Sequence, residues 1–461
     1  MPTILLAWEL GGGRGHLGPL RQLAERLLRR GHRVFLASRN VVDAGEIFAG
    51  LPVGLFAAPY LSGTPGYARS PVRSFVDILH NVGFGGQSDH AALTAAWLSI
   101  YQAVQPDVVV FDHSPTALAA SYVAPTRRVL LGTGFACPPP GRESDDLRIW
   151  KGDRRENDTS QAVVLKNLNL VRERYRLPAV GSVGELYSQV DATVLATYPE
   201  LDHFGSRNSG VYAGVFPLPR GAAPNWPGTS RPRAFAYLKP HKLLESLIAE
   251  LTRQRIATLL YTGSNDPQIV KKHSTEWVHV LPSVVDLQVA MAEADFAILN
   301  GTHATTIAAL LAGKPTLHFP LFLEQWMFAT RVCELGAGEL VAANNANALN
   351  ESLERMATGG SVLGARRFAA RYANHDPEAA VTSAAEIIEA TIEATIESSP
   401  QRATARCHSV GSLAGTLVDK NGGTKKFFEI LLRRSLRRKV RCNAGSGNGL
   451  QRQTARAKRR K

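Results

Sequence analysis

Four consecutive apolar residues, Phe296, Ala297, Ile298 and Leu299, are followed at once by the small residues Gly301, Thr302, Ala304, Thr305 and Thr306. The first group reads as a strand buried on both faces, and the second lets a helix start with almost no connecting loop. Gly313 and Pro315 stop that helix, residues 318–320 read as another short strand, and Glu324 and Gln325 fall just past it. Strand, helix and strand joined this tightly form a unit of parallel sheet, with the helix start and the acid–amide pair at its carboxyl edge. A helix N-terminus in that place attracts phosphate. A carboxylate beside a carboxamide suits sugar hydroxyls, which both donate and accept hydrogen bonds.

The chain opens in the same way. Residues 3–8 read as a strand, residues 11–15 as a glycine loop, residues 17–30 as an amphipathic helix with Leu20, Leu23, Leu27 and Leu28 on one side, and residues 34–37 as the next strand. Residues 108–111, 129–131 and 193–196 are further buried-strand candidates. Residues 217–233 hold five prolines and little hydrophobic periodicity, which predicts a linker. Beyond it a second alternation begins, with strands at 234–238, 256–261, 278–281 and 296–299 and helices at 241–253 and 284–292. The class is therefore α/β: two doubly wound parallel-sheet domains at 1–216 and 234–375. A helix is expected at 376–398, where Ile388, Ile392 and Ile396 recur every fourth residue.

A net charge of +14 suggests an acidic partner, but it is not spread along the chain. Residues 401–461 hold 17 Lys and Arg against 2 Asp and Glu, which leaves 36 basic and 37 acidic residues for the rest. The body is nearly neutral, and no specific nucleic-acid partner is expected of it. The tail, 399–461, reads as a solvated basic extension; within it KKFFEILLRRSLRRKV could form a basic amphipathic helix, which leaves a peripheral membrane contact open. Cys137, Cys333, Cys407 and Cys442 show no metal-binding or disulfide spacing. With no basic leader and no apolar run of membrane-spanning length, a cytoplasmic location is expected.

Residues 300–325 resemble the donor signature of the GT-B nucleotide-sugar glycosyltransferases, which have two Rossmann-like domains facing a cleft. The likeness is greatest to the UDP-glycosyltransferases acting on small acceptors and their murein-lipid relatives. In that family a His-Gly-Gly turn enters the helix, a Glu stands eight residues after the His, Gly-x-Pro ends the helix, and Asp-Gln or Glu-Gln follows. Here Asn300 and Ala308 replace that His and Glu, while Gly301, Thr305, Thr306, Gly313, Pro315, Glu324 and Gln325 keep their register. A Trp and a Gln that the family places near Val280 and Ser283 are also missing, so uridine is only the default base. The resemblance implies an acceptor-binding first domain, a donor-binding second domain, and a helix at 376–398 that crosses back to the first. Acceptor identity would lie in residues 62–87 and 135–155.

The loop of residues 9–19 contains Gly12, Gly13 and Gly15 and ends in Gly15-His16-Leu17-Gly18-Pro19. A dinucleotide fingerprint is the weaker rival, because counting from Gly11 puts His16 where G-x-G-x-x-G needs glycine, and the next strand ends in Ser38-Arg39 rather than an acid, which suits NADP better than NAD. In the resembled family a Gly-His-x-x-Pro loop supplies the catalytic base, which makes His16 the base here. Imidazole titrates near working pH, and an acceptor hydroxyl needs its proton taken as the bond forms. Asp112, at the end of the strand VVVF, is the expected orienting carboxylate, with His113 as a competitor and helix capping as its alternative role. Helix-terminal amides from Gly301 through Thr302 to Thr305, with the hydroxyls of Thr305 and Thr306, would meet the departing phosphate, with Ser264 and His303 as further candidates. Glu324 and Gln325 would hold the donor sugar. No DxD-type cluster is present, so neither a metal nor another cofactor is expected. The expected activity is inverting transfer from a nucleotide diphosphate sugar to a hydroxyl of a small, apolar or lipid-like acceptor. A non-catalytic partner protein on the same scaffold and a nucleotide-sugar epimerase or hydrolase are the alternatives.

Overall fold

A computed structural model of the chain describes residues 1–140, 155–218, 220–229, 231–341 and 346–398. The expectations for the tail at 399–461, and for the acceptor region between 141 and 154, lie outside these residues. The first lobe contains β1 (Thr3–Trp8), α1 (Leu17–Arg29), β2 (Arg33–Ser38), α2 (Val41–Ile47), β3 (Gly54–Ala57), α3 (Phe75–Leu79) and α4 (Gln87–Val104). It continues through β4 (Val108–Asp112), α5 (Pro115–Ser121), β5 (Arg127–Gly132), α6 (Arg155–Arg174), α7 (Glu185–Ser188), β6 (Ala192–Leu195) and β7 (Val211–Tyr212). The strands form one parallel sheet in the order β3-β2-β1-β4-β5-β6-β7. Chain order reverses between β1 and β4, and that is where an open parallel sheet leaves a crevice at its carboxyl edge.

The second lobe repeats the plan with β8 (Arg233–Tyr237), α8 (Leu244–Arg253), β9 (Ala257–Tyr261), α9 (Pro267–His273), β10 (Val278–Leu281) and α10 (Leu287–Glu293). Then come β11 (Phe296–Leu299), α11 (His303–Leu311), β12 (Thr316–His318), α12 (Leu323–Glu334), β13 (Gly338–Leu340), α13 (Ala346–Ala357) and α14 (Val362–Arg371). Its parallel order is β10-β9-β8-β11-β12-β13, with the switch between β8 and β11. The strand expected at 318–320 lies two residues earlier, because Pro320 has no N–H to give a ladder. Helix α10 starts three residues later than expected, where Asp286 caps it by accepting from the N–H groups of Gln288 and Val289.

Alternation along each strand builds a core on both faces of each sheet. In the first lobe Ile4 and Leu6 pack with Leu20, Leu23 and Leu27 of α1, whereas Leu5 packs with Trp97 and Tyr101 of α4 on the other face. The last helix, α15 (Pro377–Ser398), returns to the first lobe: Ala384, Ile388 and Ile392 join the α1 side of that core. Arg26 reaches Glu378 at 2.7 Å and His32 Nε2 reaches Glu389 at 2.7 Å along the same seam.

The proline-rich stretch after β7 lies along the second lobe, where Trp226 Nε1 donates to Glu293 at 2.7 Å and Ala222 bridges Val285. The lobes meet directly as well. Tyr198, Leu201 and Val215 from the first share a core with Ile307, Leu310, Phe328 and Phe368 from the second. The Tyr372 hydroxyl donates to Glu200 at 2.6 Å beside this cluster. No described helix is long and apolar enough to cross a membrane.

Candidate functional site

The first-lobe half of the site is set by the register of β1 and β4, which pairs Trp8 with Asp112 at the carboxyl edge. Beyond Trp8 the chain turns through the glycine loop and delivers His16 at the threshold of α1, while Asp112 ends β4. His16 Nδ1 lies 2.9 Å from Asp112 Oδ2, so a hydrogen bond there leaves Nε2 as the nitrogen able to take a proton. The indole of Trp8 stacks on the imidazole with centroids 5.2 Å apart. Burial works against the charged imidazolium, but the charge and hydrogen bond of Asp112, with the charge of Glu324 added, outweigh it and raise the His16 pKa above its ordinary value.

Gly11 makes this placement feasible. Its φ is +95°, and a Cβ there would stand 2.6 Å from His16 Nε2. Gly12, Gly13 and Gly15 are exposed on the outer turn of the loop, and Gly13 also has a positive φ. A cavity of about 400 Å³ beside the loop is lined by Trp8, Gly12, Arg39, Val42 and Tyr60, among others, with the Arg39 guanidinium 4.2 Å from the centre of the Tyr60 ring.

Two polar residues without a motif complete the support. Glu9 is buried, and its carboxylate accepts from the Thr116 N–H and hydroxyl, both at 2.7 Å, and from the Ala117 N–H at 3.2 Å. Burial pushes its pKa up to about 7 although these donors pull it down. With Leu10 N donating to His113 O at 3.1 Å, Glu9 stitches the glycine loop to the turn that carries Asp112. His113 holds a left-handed φ of +46° in that turn. Burial first, and then His16, lower its pKa to about 4, so it is neutral.

The second polar residue is His203, from the first-lobe loop after β6. Its side chain is fully buried and its Nε2 lies 3.3 Å from Glu324 Oε1, the acid of the second lobe. A row of rings runs between the two sites: His16 to His113 at 6.5 Å, His113 to Phe135 at 5.9 Å, and Phe135 to His203 at 5.6 Å. Glu324, in the first turn of α12, is about one-third exposed, and its charge reaches His16 across the cleft. Glu324 thus acts electrostatically on the His16–Asp112 pair, although it comes from the other lobe.

The remaining second-lobe residues divide by role. Gly301 has φ +87°, and a Cβ there would come within 2.9 Å of the Gln325 carbonyl, so this crossing of the β11 turn and α12 demands glycine. Gln325 is buried, with Oε1 accepting from Leu321 N at 2.8 Å. Asn300 is buried too. Its Oδ1 accepts from Lys239 N at 2.7 Å and its Nδ2 donates to Phe319 O at 2.8 Å, which ties the ends of β8, β11 and β12 together. Ala308 packs into the core of the second lobe.

Thr302 is the N-cap of α11, with a buried hydroxyl that has no partner among the described residues, and Thr305 is buried one turn on. Thr306 donates to the Thr302 carbonyl at 2.8 Å, inside its own helix. His303 Nε2 lies 2.8 Å from the Thr197 hydroxyl of the first lobe, and burial, with His203 adding, lowers its pKa to about 3. Ser264 accepts from Asp266 N at 3.1 Å in the turn after β9, on the far side of β8 from the switch point.

No family model matches the chain. Among curated proteins it is similar to the sterol 3-beta-glucosyltransferase of Sclerotinia sclerotiorum, 28% identical over 133 residues, which is 26% of this chain and 9% of the relative. That of Aspergillus clavatus is 28% identical over 138 residues, 28% of this chain and 10% of the relative. The likeness thus spans about a tenth of the length of these relatives. Solved structures match far more of the chain. CalG4, the calicheamicin glycosyltransferase, has a TM-score of 0.62 at 18% identity, covering 85% of this chain and 98% of that one. The glycosyltransferase VinC, solved in complex with DTDP, has a TM-score of 0.59 at 17% identity, covering 85% and 99%. The fold of this chain, two parallel-sheet α/β lobes closing on one cleft, is that of the GT-B glycosyltransferases.

Proposed function

We propose that the chain is an inverting glycosyltransferase that moves a sugar from a nucleotide diphosphate to a hydroxyl of a small, apolar acceptor. The observation that carries this reading is the His16–Asp112 pair on one wall of the cleft, with Glu324 close enough on the other to raise the imidazole's pKa. His16 Nε2 takes the acceptor proton, the acceptor oxygen bonds to the anomeric carbon, and the bond to the diphosphate breaks on the opposite face. Asp112 holds the imidazolium that forms. The N-terminus of α11 and the Thr302 and Thr305 hydroxyls meet the negative charge on the leaving phosphate. Glu324 binds the sugar hydroxyls. The reaction as written uses no metal. The sterol in the name of the partial relatives is the first acceptor to try.

A second reading, a non-catalytic partner protein, draws on Asn300 and Ala308, whose side chains serve the lobe's own structure. One experiment separates the two. UDP-, dTDP- and GDP-sugars are screened by thermal shift, and the stabilising donor is then assayed for transfer to a sterol by wild type and His16→Ala. Enzymatic function requires a donor-dependent rise in Tm, and transfer reduced roughly a hundredfold or more by His16→Ala. No stabilisation by any sugar nucleotide would leave the partner reading standing. Donor turnover without an acceptor would indicate a hydrolase or epimerase.

A further inference from the structure

We propose that His203 is a positioning residue for the donor sugar. Supplied by the first lobe, it fixes the Glu324 carboxylate of the second, so that the sugar-binding acid is set only when both lobes contribute. The inference rests on the glycosyl-transfer reading and adds a residue that no motif marks.

Glu324 is the only polar contact of His203 among the described residues, because the buried Nδ1 has none. A buried imidazole with a single polar bond points that bond in one direction. The ring has little freedom to turn: it stacks on Phe328 with centroids 5.4 Å apart and lies against Phe135 at 5.6 Å. Its loop is equally fixed. The adjacent Asp202, fully buried, accepts from Phe204 N at 3.0 Å, Arg207 Nε at 2.9 Å and the Tyr212 hydroxyl at 2.9 Å. Arg207 in turn donates to the Cys137 carbonyl at 2.6 Å.

Glu324 itself stands in the first turn of α12 and is partly exposed, so α12 alone leaves its rotamer free. A donor Nε2–H from a rigid loop of the opposite lobe holds one carboxylate oxygen and leaves the other for a sugar hydroxyl. Preorganising the acid in this way lowers the entropic cost of binding the sugar and leaves the nucleotide untouched.

The test uses titration calorimetry on the full chain with UDP-glucose and dTDP-glucose, set against UDP and dTDP. His203→Phe keeps a ring and removes the N–H, whereas His203→Gln retains a donor of similar reach. His203→Phe is expected to weaken sugar-nucleotide binding about fivefold to twentyfold while shifting nucleotide diphosphate binding less than about twofold. His203→Gln should recover most of the loss. In the Glu324→Gln background, His203→Phe should cost nothing further. Equal weakening of sugar nucleotide and diphosphate, no weakening of either, or no recovery with Gln would overturn the proposal.

If His203→Phe does not fold, the imidazole resonances of His203 in wild-type protein decide the matter. They should move on adding the sugar nucleotide and not on adding the diphosphate, and identical responses to both would overturn the positioning role. Failure of every sugar nucleotide to bind wild type would remove the glycosyl-transfer reading and this inference together. Donor binding that is indifferent to His203 removes the inference alone.

Discussion

At the scale of single residues, the site depends on which groups a buried neighbour holds in place. The imidazole of His16 must be neutral to accept a proton, and Asp112 raises the pH at which it becomes so. The acid limb of kcat/KM should therefore lie above the ordinary histidine value of about 6.5. In Asp112→Asn the attraction is gone while the desolvation remains, so the limb should move to lower pH as the plateau falls roughly a hundredfold or more. A pH–rate profile in which the limb stays put would remove Asp112 from this role. Gly11→Ala makes a complementary prediction. The left-handed φ costs about 1–2 kcal/mol, and the new Cβ drives Nε2 aside, so a modest fall in Tm should accompany a loss of roughly a hundredfold in kcat. His16 and Asp112 were legible in the sequence because the first stands where a glycine loop enters a helix in a Gly-His-x-x-Pro pattern and the second ends an apolar strand. Glu9 and His203 were not, because their partners Thr116 and Glu324 lie over a hundred residues away and no local pattern links them.

At the scale of elements, legibility follows burial. The central strands β1, β4, β8, β9 and β11 are continuous apolar runs and stood out, whereas β3, β7 and β13 are short edge or near-edge strands with half-exposed residues and were invisible. Edge strands need only a partner on one side, so their sequences carry less hydrophobic signal; β10, also an edge strand, was legible because Val278 and Val280 are buried. Helix α4 shows a different cost of burial. His90 is fully buried within it and stacked on Phe84 at 4.3 Å, neither ring nitrogen has a partner among the described residues, and desolvation lowers its pKa to about 4. The unfolded chain binds a proton at about pH 6.5 that the folded chain refuses until about pH 4, so stability present above the higher value is lost as pH falls through this window. The loss approaches about 1.4 kcal/mol per pH unit from this one group. His90→Leu should accordingly raise Tm at pH 5 by more than at pH 8 in parallel thermal melts. Equal shifts at both pH values would show that His90 does not drive the acid sensitivity.

At the scale of the whole molecule, the two alternations visible in the sequence say that two sheets form, but not that they share a cleft. That depends on contacts such as Tyr198 against Phe368 and on the return of α15, whose isoleucine spacing announced a buried face without naming what covers it. The destination matters energetically. Val381, Ile388 and Ile392 close the first lobe's core over Leu20, Leu23 and Leu27, and each is worth roughly 1.5–3 kcal/mol on burial. Together they rival the net stability of about 5–15 kcal/mol typical of a folded protein. Ending the chain at residue 376 should therefore abolish cooperative unfolding even though every strand of both sheets is retained. Ending it at residue 398 should leave Tm and the transfer rate unchanged, because the basic charge then removed balances no opposite excess in the nearly neutral body. Melting curves and turnover of the two truncations, measured beside the full chain, check both statements. A cooperative melt from the shorter protein would mean that α15 is an accessory to the first lobe, and a folded but inactive longer one would place part of the transfer machinery in the tail.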